Sequence, residues 1–323
     1  MRHIFVINPV AGKMDPAQLL TPPIKAAAAD HPEEEVEIYI TKEVGDACTF
    51  VRSTCEAYEK PVRFYACGGD GTLNEVVNGM VGFSQAELGL IPCGSGNDFV
   101  KNYPNRDFFH ISAQLESKAH PIDLLKVNDR YSINITNIGL DSDAADYMTR
   151  FKRLPLVNGK MAYNLGLVYS VCLPIGHDMK ITLDDGETVL QDRYMLAVAA
   201  NGQYYGGHFR CAPLAALDDG LIDICLVKKI SRLRIPALLS VYENGRHVDD
   251  EKLKDIISYH KCRKMVIEAD HPISLARDGE IDHASRIEIE LLPGALNCSV
   301  PERQAGAFSQ RLAKAQKGDN FGG

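Results

Sequence analysis

Short apolar runs separated by helical periodicities fill the first 130 residues, and alternating polarity takes over afterwards. The early runs read as strands at residues 3–8, 36–41, 62–67 and 88–92. Helical spacing lies between them at residues 15–29, 46–59 and 73–80. This alternation predicts an α/β first domain over residues 1–130, a parallel sheet with helices on its faces. Ligands of such sheets bind beyond the carboxyl ends of the strands, so chemistry is expected in the turns that follow them.

From residue 131 the runs at 131–139, 179–184, 193–201, 221–227, 264–269 and 286–291 read as strands, many with alternating polarity. Asp184-Asp185-Gly186, Asp218-Asp219-Gly220 and Asp278-Gly279-Glu280 punctuate them as turns. The pattern predicts a mainly antiparallel β-sandwich over residues 131–298. Residues 301–317 have helix-forming composition, and the tail 299–323 is expected to pack back on the first domain.

Length and charge narrow the function. A chain of 323 residues suits about two domains. Its formal charge of −8 counts against a nucleic-acid partner, which usually meets a basic surface, yet leaves a membrane surface open through a local basic patch. Nine cysteines lie scattered without a CxxC pair, which reads as reduced thiols in a core and a cytoplasmic protein. The apolar run at residues 4–7 is too short for a signal peptide, and no run is long enough to span a bilayer.

Three strand ends carry unusual residues. The first, Ile7-Asn8-Pro9-Val10-Ala11-Gly12-Lys13, lacks the spacing of a Walker A loop and alone reads as a turn. The second is Gly68-Gly69-Asp70-Gly71-Thr72-Leu73-Asn74-Glu75. Its glycines allow close backbone approach, and Thr72 with Glu75 fits a capping box, so a helix is expected to start there with free N–H groups facing a polyphosphate. Asp70 among those donors would anchor a metal or accept a proton. The third, Pro92-Cys93-Gly94-Ser95-Gly96-Asn97-Asp98-Phe99, repeats the arrangement but does not complete a dinucleotide fingerprint.

Together these turns resemble the diacylglycerol kinase catalytic family, which also takes in sphingosine, ceramide and bacterial lipid kinases. The matching residues are Asn8-Pro9-x-Ala11-Gly12, Gly68-Gly69-Asp70-Gly71-Thr72 with Asn74-Glu75, and Pro92-x-Gly94-Ser95-Gly96-Asn97-Asp98-Phe99. The resemblance continues at Gly206-Gly207, Ala212-Pro213, Asp218-Asp219-Gly220 and Asp278-Gly279-Glu280. Only the Gly-Gly-Asp-Gly-Thr element is shared with NAD kinases and phosphofructokinases.

The resemblance implies an ATP- and Mg²⁺-dependent kinase that phosphorylates a hydroxyl of a membrane lipid, diacylglycerol-like, at an interdomain cleft. It implies an ATP site at Asn8, Pro9, Gly12, Gly68, Gly69, Asp70, Gly71, Thr72, Leu73, Asn74, Glu75, Ser95 and Asp98. Thr41 belongs to that set or simply caps the next helix. A lipid hydroxyl needs a base before it attacks phosphorus. The resemblance gives this role to Glu280, with Asp278 orienting it or binding metal and Asp70 as the other candidate. It further implies a structural Mg²⁺ on the Asp219 carboxylate and the carbonyls of Ala216 and Leu221, unless that loop is a plain turn. Asp123 would link metal and active site through water.

Basic residues 150–153 before an apolar stretch at 161–175 suit an interfacial element or a core helix with a solvated flank. Peripheral membrane association follows from the first reading, and a homodimer is compatible with the sequence. Two other functions remain open: a soluble-substrate kinase of the NAD-kinase type, and a catalytically silent nucleotide-binding regulator.

Overall fold

The computed structural model describes residues 1–151, 175–302 and 306. The chain divides into two compact units, Met1–Asp123 with Pro293–Gly323, and Leu124–Leu292. The basic and apolar stretch read at 150–175 and the helix read at 301–317 lie almost wholly outside the described residues.

In the first unit the apolar runs form β1 (Arg2–Ile7), β2 (Glu35–Ile40), β3 (Val62–Gly68) and β4 (Ala86–Pro92). They pair in parallel in the order β2-β1-β3-β4. The registers Ile7↔Cys67 and Gly68↔Pro92 bring the carboxyl ends of β1, β3 and β4 side by side. The far end of a long strand, β13 (Glu280–Ser299), adds Asn297 and Cys298 beside β4, also in parallel.

Helices cover both faces of this sheet. α1 (Pro16–Asp30) starts where the Asp15 side chain accepts the Ala17 N–H at 2.8 Å, a cap reinforced by proline in the first turn. Its stripe of Leu20, Ile24 and Ala27 packs with Ile111 and Leu115 of α4 (Ile111–Glu116) on Phe5, Ile7, Tyr65, Cys67 and Ile91. Alternate residues point the other way, and Ile4, Val6, Phe64 and Leu88 are buried as well. There α3 (Asp70–Met80) packs on β3 and β4, and α2 (Asp46–Ala57) packs on α3. At that helix contact a Cβ on Gly79 would lie 2.8 Å from both the Cys48 carbonyl and Val51 Cβ.

In the second unit the main sheet runs β11-β10-β9-β7-β12-β13, every pair antiparallel. Its strands are β7 (Ile135–Gly139), β9 (Thr188–Ala200), β10 (Ile222–Lys228), β11 (Ile257–Cys262), β12 (Lys264–Arg277) and β13. β8 (His177–Leu183) pairs with β9 and β12, and β5 (Ala119–Val127) pairs with β6 (Arg130–Ser132). Period-two alternation sorts the side chains. Ala197, Ala199, Ile222, Ile224 and Leu226 enter one core with Met265, Ile267, Ile287 and Ile289. Val198, Ala200, Cys225 and Val227 enter a second, roofed by Ile235, Leu238 and Tyr242 of α6 (Ile235–Glu243).

The α/β first unit and the antiparallel second unit agree with the sequence. Several elements do not. The run 131–139 splits into β6 and β7, and α4, α6, β5 and a helix α5 (Leu140–Phe151) were not anticipated. The split arises because the backbone N–H groups of residues 133–135 turn to a common acceptor, described below, which local polarity does not reveal.

Gly79→Val should force α2 and α3 apart, costing about 1–3 kcal/mol as an overpacked contact. A urea titration should show a lower midpoint with an unchanged slope.

Candidate functional site

The three strand-end turns interlock through the backbone. After β1, Asn8 N–H donates to Cys67 O at 3.0 Å, and its side-chain amide donates to Thr72 Oγ1 at 3.0 Å. The Val10 N–H closes on Asn8 Oδ1 at 3.1 Å, and Gly12 takes a φ of 70°, which favours glycine. After β4, the Cys93 and Gly94 N–H groups both donate to Gly68 O, at 2.8 and 3.2 Å. Asn97, in the left-handed region at φ 51°, folds its side chain back to accept from Gly94 N at 3.0 Å and donate to Gly94 O at 2.7 Å.

Glycine is required where these turns touch. A Cβ on Gly94 would lie 2.4 Å from Gly69 Cα, a backbone atom that cannot swing aside. A Cβ on Gly96 would lie 2.6 Å from Asp70 Oδ2. The other Asp70 oxygen accepts the Asp98 N–H at 2.7 Å, so this carboxylate ties the third turn to the start of α3. Asp98 itself is buried and paired with Lys101.

The result is an open depression of about 280 Å³ lined by Asn8, Ala11, Gly12, Gly69, Asp70, Gly71, Thr72, Gly94, Ser95 and Gly96. It faces the N-terminus of α3, where first-turn backbone N–H groups and the helix dipole favour an anion. No lysine or arginine is among the described lining residues. Beneath it, burial pushes the Cys93 thiol up to about 12 and raises the Cys67 thiol well above its ordinary value, so both stay protonated and are poor nucleophiles or metal ligands at neutral pH.

Of the expected nucleotide residues, Asn8, Gly12, Gly69, Asp70, Gly71, Thr72 and Ser95 line the depression, with Gly68 directly behind. Pro9, Thr41, Leu73, Asn74, Glu75 and Asp98 are not in its lining. Thr41 sits beside β1, its N–H on Ile7 O at 2.9 Å, and Leu73 faces the core. The capping box is corrected: α3 starts at Asp70 after Gly69, two residues before Thr72. Glu75 reaches across instead, accepting the Gly45 and Ala47 N–H groups at 2.9 and 3.2 Å at the start of α2. A helix N-terminus offering two orphan donors attracts the carboxylate more than its own helix start does. Ala11, Gly94 and Gly96 were not singled out as binding positions, although the Gly-x-Gly spacing could have marked the latter two.

The acids of the second unit divide by partner. Asp278 and Gly279 form the two-residue turn of the β12–β13 hairpin at φ 46° and 93°, the geometry Asp-Gly favours. The Asp278 carboxylate accepts Ser132 Oγ–H and the N–H groups of Ile133, Asn134 and Ile135 at 2.8–3.1 Å. These donors account for the break between β6 and β7. Glu280 is exposed, and among the described residues no hydrogen bond holds its carboxylate.

The expected metal ligands have the following protein contacts. Asp219 Oδ1 accepts the Leu221 N–H at 3.1 Å, and Oδ2 pairs with Lys261 Nζ at 2.8 Å. Asp123, in the first unit, is buried and accepts the Gly294 N–H at 2.8 Å. Among the described residues no group of three or more His, Cys, Asp or Glu could hold a metal ion. Nor is any described helix long and apolar enough to cross a membrane.

Similarity to known proteins follows the same two-part division. Residues 2–127 match the family described as the diacylglycerol kinase catalytic domain, and residues 134–300 match the YegS C-terminal NAD kinase beta sandwich-like domain. The diacylglycerol kinase of Bacillus subtilis (strain 168) is 30% identical over 220 residues, covering 67% of this chain and 70% of that protein. The diacylglycerol kinase of Staphylococcus saprophyticus is 30% identical over 250 residues, 76% of this chain and 78% of its own. A solved structure of a candidate diacylglycerol kinase from Bacillus anthracis str. Sterne superposes with a TM-score of 0.73 at 25% identity, covering 94% of this chain and 98% of that one. The chain belongs to the diacylglycerol kinase family of lipid kinases, phosphotransferases built from these two domains.

Asp278→Ala should leave three buried N–H groups without an acceptor and destabilise the protein by about 3 kcal/mol or more. Chemical denaturation of the purified variant measures this directly.

Proposed function

We propose that this enzyme transfers the γ-phosphoryl group of ATP, with Mg²⁺, to a hydroxyl of a diacylglycerol-like membrane lipid reached from the bilayer surface. The observation that carries the reading is the depression at the three strand ends, ringed by glycine backbone and by the polar side chains of Asn8, Thr72 and Ser95. Backbone N–H groups at a helix start suit phosphate oxygens. With no basic side chain in the described lining, a polyphosphate must bring its own countercharge. Asp70 fits that requirement, because Mg²⁺ is usually held by one or two carboxylates together with substrate phosphates and water. When bound there, the ion would offset charge on the transferring phosphoryl.

The chain's own groups do the rest. The interlocked glycine turns hold the donor in one orientation, and Asn8 fixes Thr72 at its edge. Glu280 is the preferred base, since its carboxylate has no hydrogen bond among the described residues, whereas every donor around Asp278 already claims that acid. A base of this kind supplies about 10²–10⁴-fold in rate.

Radiolabelled ATP offered with diacylglycerol, phosphatidylglycerol, a sphingoid base and a polyprenol in mixed micelles should label at least one lipid. Label that reaches only a soluble acceptor such as NAD would overturn the lipid assignment. Glu280→Gln should keep ATP affinity and fold while losing about 10²–10⁴-fold in turnover; a variant at wild-type rate moves the base to Asp70. Gly94→Ala should weaken ATP binding in calorimetry by at least about tenfold, the equivalent of one crowded backbone contact.

A further inference from the structure

We propose that the Lys261 ammonium is the built-in cation of the loop at residues 214–223, which therefore folds without a divalent metal. The antiparallel register of β10 and β11 sets Lys261 directly opposite Asp223. Its Nζ lies 2.8 Å from Asp219 Oδ2, 3.2 Å from Asp223 Oδ2 and 3.4 Å from Leu214 O. An ammonium has three N–H donors, and here it faces three oxygens. The second oxygen of each acid is also occupied: Asp219 Oδ1 by the Leu221 N–H, and Asp223 Oδ1 by the Tyr259 hydroxyl at 2.6 Å.

Asp223 explains why the position needs permanent positive charge. Its side chain is 0% exposed, and a buried carboxylate is tolerated only when paired. A divalent ion on Asp219 would have to share that carboxylate with a fixed ammonium, and the two positive charges would repel. The donor set thus does not fit the structural Mg²⁺ expected on Asp219, Ala216 and Leu221. Any Mg²⁺ requirement of this enzyme then enters with the nucleotide and not through this loop.

Thermal melting of the full chain tests this independently of ATP turnover. The wild type should melt at the same temperature in millimolar MgCl₂ and in EDTA. Lys261→Met should lower the melting temperature by roughly 5–10 °C, as breaking a partly buried pair in a chain of this size implies. Lys261→Arg should keep most of the stability, and adding Asp223→Asn to Lys261→Met should recover part of the loss. If Lys261→Met does not fold, the wild-type comparison and Lys261→Arg still decide. A Mg²⁺-dependent rise in wild-type melting that disappears in Asp219→Ala overturns the proposal, as does a Lys261→Met protein that melts like wild type.

Discussion

The contact between Gly94 and Gly69 is the constraint on which the strand-end depression of the first unit depends. Two main chains meet there with no room for even one methyl group, and the Gly68 carbonyl locks them by accepting from Cys93 and Gly94. Parallel pairing alone brings the ends of β3 and β4 level, but it does not make a rigid rim. The close approach does, because it turns two short loops into one rigid rim at the start of α3. Asn8 then joins the first turn to the same rim through Thr72.

Within each unit the acidic residues separate into different physical jobs. Asp70 spends one oxygen on the Asp98 N–H, so the group facing the depression also fixes its wall. Asp278 holds the β6–β7 break through a hydroxyl and three backbone amides, and its left-handed φ is stabilised by the hairpin it helps to form. Asp219 and Asp223 share an ammonium. Glu280, one residue beyond the Asp-Gly turn, is the exposed exception. A carboxylate surrounded by donors is stabilised as an acceptor and disfavoured as a mobile proton carrier. Hydrogen-bond inventory therefore distinguishes acids that motif position alone treats alike.

Much of the first unit was legible in the chain itself. Strands buried on both faces need uninterrupted apolar residues, so β1, β3 and β4 announced themselves, and the glycines after them marked the places where backbone must come close. The Asp-Gly pair likewise specified its hairpin turn, because few other residues accept two successive left-handed conformations. The resemblance of these turns to a lipid kinase family rests on the same features, which is why the family was legible.

What the sequence could not decide were choices among partners distant along the chain. Thr72 and Glu75 make a valid local capping box, yet Asn8 lies 64 residues away and offers Thr72 a better bond, while the start of α2 claims Glu75. Ile133 and Asn134 look like strand residues until a carboxylate about 145 residues later gathers their amides. Lys261 carries no local mark at all; only the register of β10 and β11 places it on Asp223 and Asp219. Local sequence determined strands, turns and glycine positions, because backbone sterics and burial pattern act over a few residues. Tertiary structure decided which donor meets which acceptor, because a polar group is satisfied by whatever neighbour the fold delivers.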